Sequence, residues 1–156
     1  MFKNFIMKKL ERLYNTMEKE VFEIFEDFTK LKSRADKIAY LKQQGAAVPA
    51  VKDVIRGAFD ERLVFVLPEG KPPYTPNRPE SVPSSLRQKH RDFGNYVKGA
   101  RSASQPQFKI ERQFIQMLES IHAEDALIVL DMVAKKPPVK GLTRKIVEEA
   151  FPNLLS

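Results

Sequence analysis

Apolar positions recur at helical spacing through most of the chain, in blocks separated by Gly, Pro and Ser. Phe2, Ile6, Leu10, Leu13 and Met17 share one face of a predicted N-terminal helix, with Lys3, Lys8, Lys9 and Arg12 on its other sides. Asn15 followed by Glu18 is a capping-box pattern, which starts a second helix carrying Val21, Phe22, Phe25, Phe28 and Leu31. Ser33 and Asp36 repeat that signal ahead of Ile38, Ala39 and Leu41, with Gly45 as the expected stop. Pro49, tolerated in a first helical turn, opens a fourth helix whose buried side is Val51, Val54, Ile55 and Ala58.

Farther along, Ser84 or Ser85 caps a helix with Leu86, His90, Phe93 and Val97 on one face and Gly99 at its end. A Ser-rich connector over residues 100–107 leads to Ile110, Phe114, Met117, Leu118 and Ile121. His122-Ala123-Glu124-Asp125 reads as a break and restart, with its acids where a helix N-terminus favours them. Ala126, Leu127, Leu130 and Val133 then continue the pattern to Pro137-Pro138, and Lys135 and Lys136 suit the negative end of that helix. Thr143 caps a last short helix with Ile146, Val147, Ala150 and Phe151, closed by Pro152.

One stretch breaks this rhythm. Residues 63–67 are five consecutive apolar residues, too few for a helix, and predict a buried hinge or short strand covered on more than one face. Pro68-Glu69-Gly70 reads as a turn, and Pro72, Pro73, Pro76, Pro79 and Pro83 then exclude helix and stiffen a strap. The predicted fold is mainly α: a compact multi-helix domain with a central buried apolar segment and a proline-rich strap. Residues 1–32 read as an amphipathic helical extension, and residues 33–156 as a single helical domain containing the 68–83 strap.

A hydrophobic content of 42% over 156 residues, with 11 Phe, is enough for a real core. The absence of Cys excludes disulfides, thiolate catalysis and cysteine-ligated zinc. No apolar run approaches the length needed to cross a bilayer, so a membrane partner is not expected. Charge adds more. The chain carries a formal +7, and much of the excess lies within residues 81–112, where seven basic residues face only Asp92 and Glu111.

Several short signatures occur in a fixed order: Lys37-Ile38-Ala39-Tyr40-Leu41, Gly57-Ala58-Phe59-Asp60, Leu67-Pro68-Glu69-Gly70 with Pro72-Pro73-Tyr74, and Phe114-Ile115-Gln116-Met117-Leu118-Glu119. Lys140-Gly141-Leu142-Thr143 and Glu149-Ala150-Phe151-Pro152 complete the series. In this order and spacing they resemble a family of small proteins of unknown function encoded by tailed bacteriophages, including T4-like phages and cyanophages. The resemblance spans about residues 33–155 and leaves the N-terminal extension outside it. It implies phage origin and action in the host bacterial cytoplasm. It brings no catalytic residues.

The residues themselves supply no enzyme signature. His90 and His122 stand outside any metal-ligand motif, no glycine loop cradles a phosphate, and Glu124-Asp125 and Glu148-Glu149 are accounted for as helix start and solvated face. No metal or cofactor is expected. Two kinds of binding remain. The strap around Tyr74 and the apolar stripe of Phe2, Ile6 and Leu10 suit docking to a host or phage protein complex. Alternatively, Arg87, Lys89, Arg91, Lys98 and Arg101, together with Tyr96 if it is exposed for stacking, suit non-sequence-specific nucleic-acid binding by the basic 86–112 region. The bland account is an ordinary solvated helix with Phe93 and Tyr96 in the core. Non-enzymatic protein binding is the leading expectation.

Overall fold

A computed structural model describes residues 3–10, 19–81 and 83–155. Helix α1 covers residues 3–10 and is exposed along its length. Phe2 lies outside the described residues. Helix α2 (Val21–Lys30) starts at a capping box formed by Glu20 and Glu23, and fully buries Val21, Ile24 and Phe28 with Phe25. Helix α3 (Arg34–Ala47) has the expected cap, with Ser33 Oγ accepting from the Asp36 N–H at 3.0 Å.

Gly45 does not stop α3. It sits inside the helix against the Phe151 ring, where an added Cβ would come within 2.6 Å of Cζ. Its small size, not its backbone freedom, is what the fold uses. Helix α4 (Pro49–Phe59) follows after Val48 and buries Ala50, Val51, Val54, Ile55 and Ala58. α4 is the central element: it packs on α3, on α5 (Leu86–Lys89) and on α8 (Ala123–Val133). α2 spans α3 and α8, while α9 (Arg144–Ala150) packs on α3.

The helix expected between Ser85 and Gly99 is broken. Ser85 caps the single turn of α5, the chain tightens into a 3-10 helix over His90–Asn95, and α6 (Ala100–Ala103) begins after Gly99. Leu86, His90 and Phe93 are buried as expected, but Val97 is only half-buried and Tyr96 takes its place, because the three-residue step of the 3-10 helix carries the inward face from His90 through Phe93 to Tyr96. Helix α7 (Gln107–Ser120) runs from Pro106 to the predicted break, with Ile110, Phe114, Met117 and Leu118 inward.

Residues 63–67 are also not the buried centre that their composition predicts. Val64 is 52% exposed and its neighbours are half-buried. The run lies along the edge of the helical body, where Val66 N–H donates to Tyr96 O and Lys98 N–H to Val64 O, both at 2.7 Å, around an antiparallel bridge of Phe65 and Val97. Only one flank is covered. Phe65, Val66 and Leu67 pack on the core from outside.

Candidate binding surfaces

The strap is held to α7 and its end by polar contacts. Thr75 N–H donates to Glu119 Oε2 and Asn77 Nδ2 to Ile121 O, each at 2.8 Å, and Ser84 pairs with Ile121 in a parallel bridge. Prolines have removed competing backbone donors from this segment, so side chains and the few remaining N–H groups fix its register. Tyr74 is half-buried against the core, with Lys71 Nζ 5.4 Å from its ring centroid, and burial pushes its hydroxyl pKa up.

Between residues 58–73 and helices α7 and α8 runs a groove of about 1480 Å³. Val64 and Leu127, 52% and 46% exposed, both line it, as do half-buried Leu67, Ile115 and Leu130. Its charges are balanced: Glu61, Glu69, Glu111 and Asp131 against Lys71, Lys135, Lys136 and Arg144. At one end Lys135 Nζ donates to Gly57 O at 2.7 Å and Asp60 O at 2.9 Å, and Arg144 Nη1 donates to Phe59 O at 2.9 Å. These cations satisfy carbonyls left open at the C-terminus of α4. Lys135 therefore serves a different helix from the one its position in sequence suggests.

The basic residues divide. Arg91, Lys98 and Arg101 converge on a second pocket, of about 530 Å³, and meet Arg56 from α4 there. Arg87 and Lys89 are half-buried on α5 and do not line it. Tyr96 is 2% exposed, with its ring 5.3 Å from that of Phe114, so it offers no face for stacking on a base. Burial pushes its hydroxyl up to about 12. It was the aromatic spacing of Phe93 and Tyr96 that built the core here. Arg56 was the residue sequence reasoning missed; its signal is its place on the polar side of α4, three residues after Asp53.

On α1, Ile6 and Leu10 are 41% and 54% exposed, and Phe5 and Met7 more so. Among the described residues no group of three or more His, Cys, Asp or Glu is arranged to hold a metal ion, and no helix is long and apolar enough to cross a membrane.

No curated protein and no solved structure matches the chain. A family model does match, over residues 24–137, beginning within α2 and ending just past α8. That stretch contains the strap, the smaller pocket, all of the groove's lining but Arg144, most of α2 and the whole of α3 to α8. By this match the chain belongs to the family of unknown function DUF6433.

Proposed function

We propose that this chain is a bacteriophage accessory protein that works in the host cytoplasm without catalysing a reaction, by docking an apolar segment of a host or phage protein complex in the groove beside the strap. The observation that carries this reading is the pair Val64 and Leu127, large apolar side chains left exposed in the lining of a wide, charge-balanced groove. Its walls are pre-formed. The strap is bonded to α7, and residues 64–66 to residues 96–98, so little ordering cost falls on binding. The exposed apolar side chains of α1 offer a second contact to the same complex.

The test is recovery of complexes from bacteria expressing the tagged protein, with and without nuclease. A discrete protein partner that survives nuclease and is lost with Leu127→Glu is the expected result. Deleting residues 1–15 or replacing Tyr74 by Ala should weaken recovery further. A partner retained in full by Leu127→Glu sinks the groove.

A second reading, nucleic-acid binding without sequence preference, is supported by the convergence of Arg91, Lys98 and Arg101. It predicts steep salt dependence, with loss of every partner after nuclease. Replacing Arg87, Lys89 and Arg91 by Ala at fixed salt would then lower oligonucleotide affinity; unchanged affinity with an intact fold counts against it.

A further inference from the structure

We infer that the pocket between α4 and the 90–101 segment is a nucleotide site, with the phosphate held by Arg91, Lys98 and Arg101 beside Arg56 and the base against its apolar lining. This takes its ligand chemistry from the second reading above; the pocket shares Leu63 and Phe65 with the docking groove but none of its charged residues. The pocket's volume of about 530 Å³ is in the range of small-molecule sites. Four cationic side chains line it against one carboxylate, that of Asp53. That carboxylate is already engaged: Asp53 Oδ2 lies 2.5 Å from His90 Nδ1. Among the described residues, Arg91, Lys98 and Arg101 take part in no ion pair, and Arg56 Nε reaches Asp60 only at 3.9 Å. Four cations lining one pocket with a single, already engaged carboxylate gain from an anion that enters among them.

Arg101 is aimed by the backbone. Its guanidinium lies across Gly94, where an added Cβ would come within 2.5 Å of Nη1. Its bond from Nη1 to Arg91 O is long, 3.4 Å, so most of the donor fork is left for a ligand. A guanidinium fork matches the oxygens of a phosphate. Half-buried Leu63, Phe65 and Val97 line the same pocket. A lining that combines cations with apolar side chains fits a phosphate joined to a flat, weakly polar ring better than it fits inorganic phosphate alone.

Two sources supply that chemistry, a free mononucleotide and a nucleotide within a single strand. Calorimetric titration with AMP, with adenosine and with a short single-stranded oligonucleotide separates them. AMP should bind saturably, adenosine should not, and Arg101→Gln should weaken AMP about tenfold through loss of a charge-assisted fork. Gly94→Ala should do the same by displacing that guanidinium, while circular dichroism of Arg101→Gln confirms an unchanged fold. Competition between oligonucleotide and AMP assigns both sources to the pocket. An oligonucleotide that binds while AMP does not, and is weakened by Arg101→Gln, assigns the strand alone. Failure of both probes to bind at millimolar AMP and low salt overturns the site. Oligonucleotide binding that Arg101→Gln and Lys98→Gln leave unchanged also overturns it, yet spares the second reading.

Discussion

The two ends of α8 each use one titratable side chain to tie down another helix, and they do it at different degrees of burial. At its start, Asp125 is completely buried and accepts the Phe22 N–H at 2.9 Å, satisfying a donor left open in the first turn of α2. Its second oxygen, Oδ2, has no hydrogen-bond partner. Just past its end, exposed Lys135 donates hydrogen bonds to Gly57 O in α4 and to Asp60 O just beyond it, and lies 5.1 Å from the Phe65 ring centroid. The cation stays exposed to water on one side, and the partial burial that lowers its pKa is opposed by Asp60. The buried carboxylate has exchanged water for one hydrogen bond, which offsets only part of the cost of its charge.

That contrast is sharpest in pH. Burial pushes the Asp125 carboxyl up from 3.8 to about 7; the Phe22 N–H opposes the rise, and the nearby carboxylates of Glu20, Glu23 and Glu124 add to it. The folded protein therefore holds this proton to higher pH than the unfolded chain. Between about pH 4 and pH 7 the folded state binds more protons, so its stability falls as pH rises through that window and levels off above it. The whole effect is on the order of 4 kcal/mol, at ~1.4 kcal/mol per pH unit. Asp125→Asn keeps an acceptor for Phe22 and removes the charge, so urea midpoints measured from pH 4 to 8 should lose most of this slope. A variant with the same slope as the parent would place the titrating group elsewhere.

The other end is set by size before charge. Gly57 faces Met132 across the contact of α4 with α8, and an added Cβ would stand 2.6 Å from Sδ and 2.7 Å from Cγ. Met132 is 1% exposed and has little room to swing away. Gly57→Ala should lower stability by about 1–3 kcal/mol through overpacking, despite Ala being the better helix former. Pairing it with Met132→Ala tests the mechanism: the double variant should lose less than the two single losses combined, and simple additivity would show that the contact is not the cause.

The sequence made these helices legible where one face decided the outcome. Caps at Ser33, Ser85 and Thr143 and the break at residues 121–123 are where local side chains compete for backbone groups, and those signals are short-range. Residues 63–67 misled because a continuous apolar run says how much surface wants cover, not which element supplies it. Here one flank meets Val97 and the other opens on the groove. Gly45 and Gly57 carried no local signal at all, since their role depends on Phe151 and Met132, far away in the chain. The cationic pocket was half legible. Arg91, Lys98 and Arg101 stand close in sequence, whereas Arg56 reaches them only through the packing of α4 on the 3-10 segment.

Lys135 offers the smallest effect and the finest test of what its side chain is for. It has φ of 60°, an uncommon conformation for a residue with a Cβ, at the point where α8 ends. Lys135→Ala keeps that strain and removes both hydrogen bonds, so it should lose about 1 kcal/mol, the net value of such contacts near a helix C-terminus. Lys135→Gly loses the same bonds but relieves roughly 1 kcal/mol of left-handed strain, and should fall close to the parent. Urea unfolding of the pair separates the two contributions. If Gly and Ala destabilise equally, backbone strain at the end of α8 is negligible. If Gly alone recovers the parent midpoint, the capping bonds and the strain offset one another, and Lys135 is kept by the geometry of α4's open carbonyls and not by any preference of its own helix.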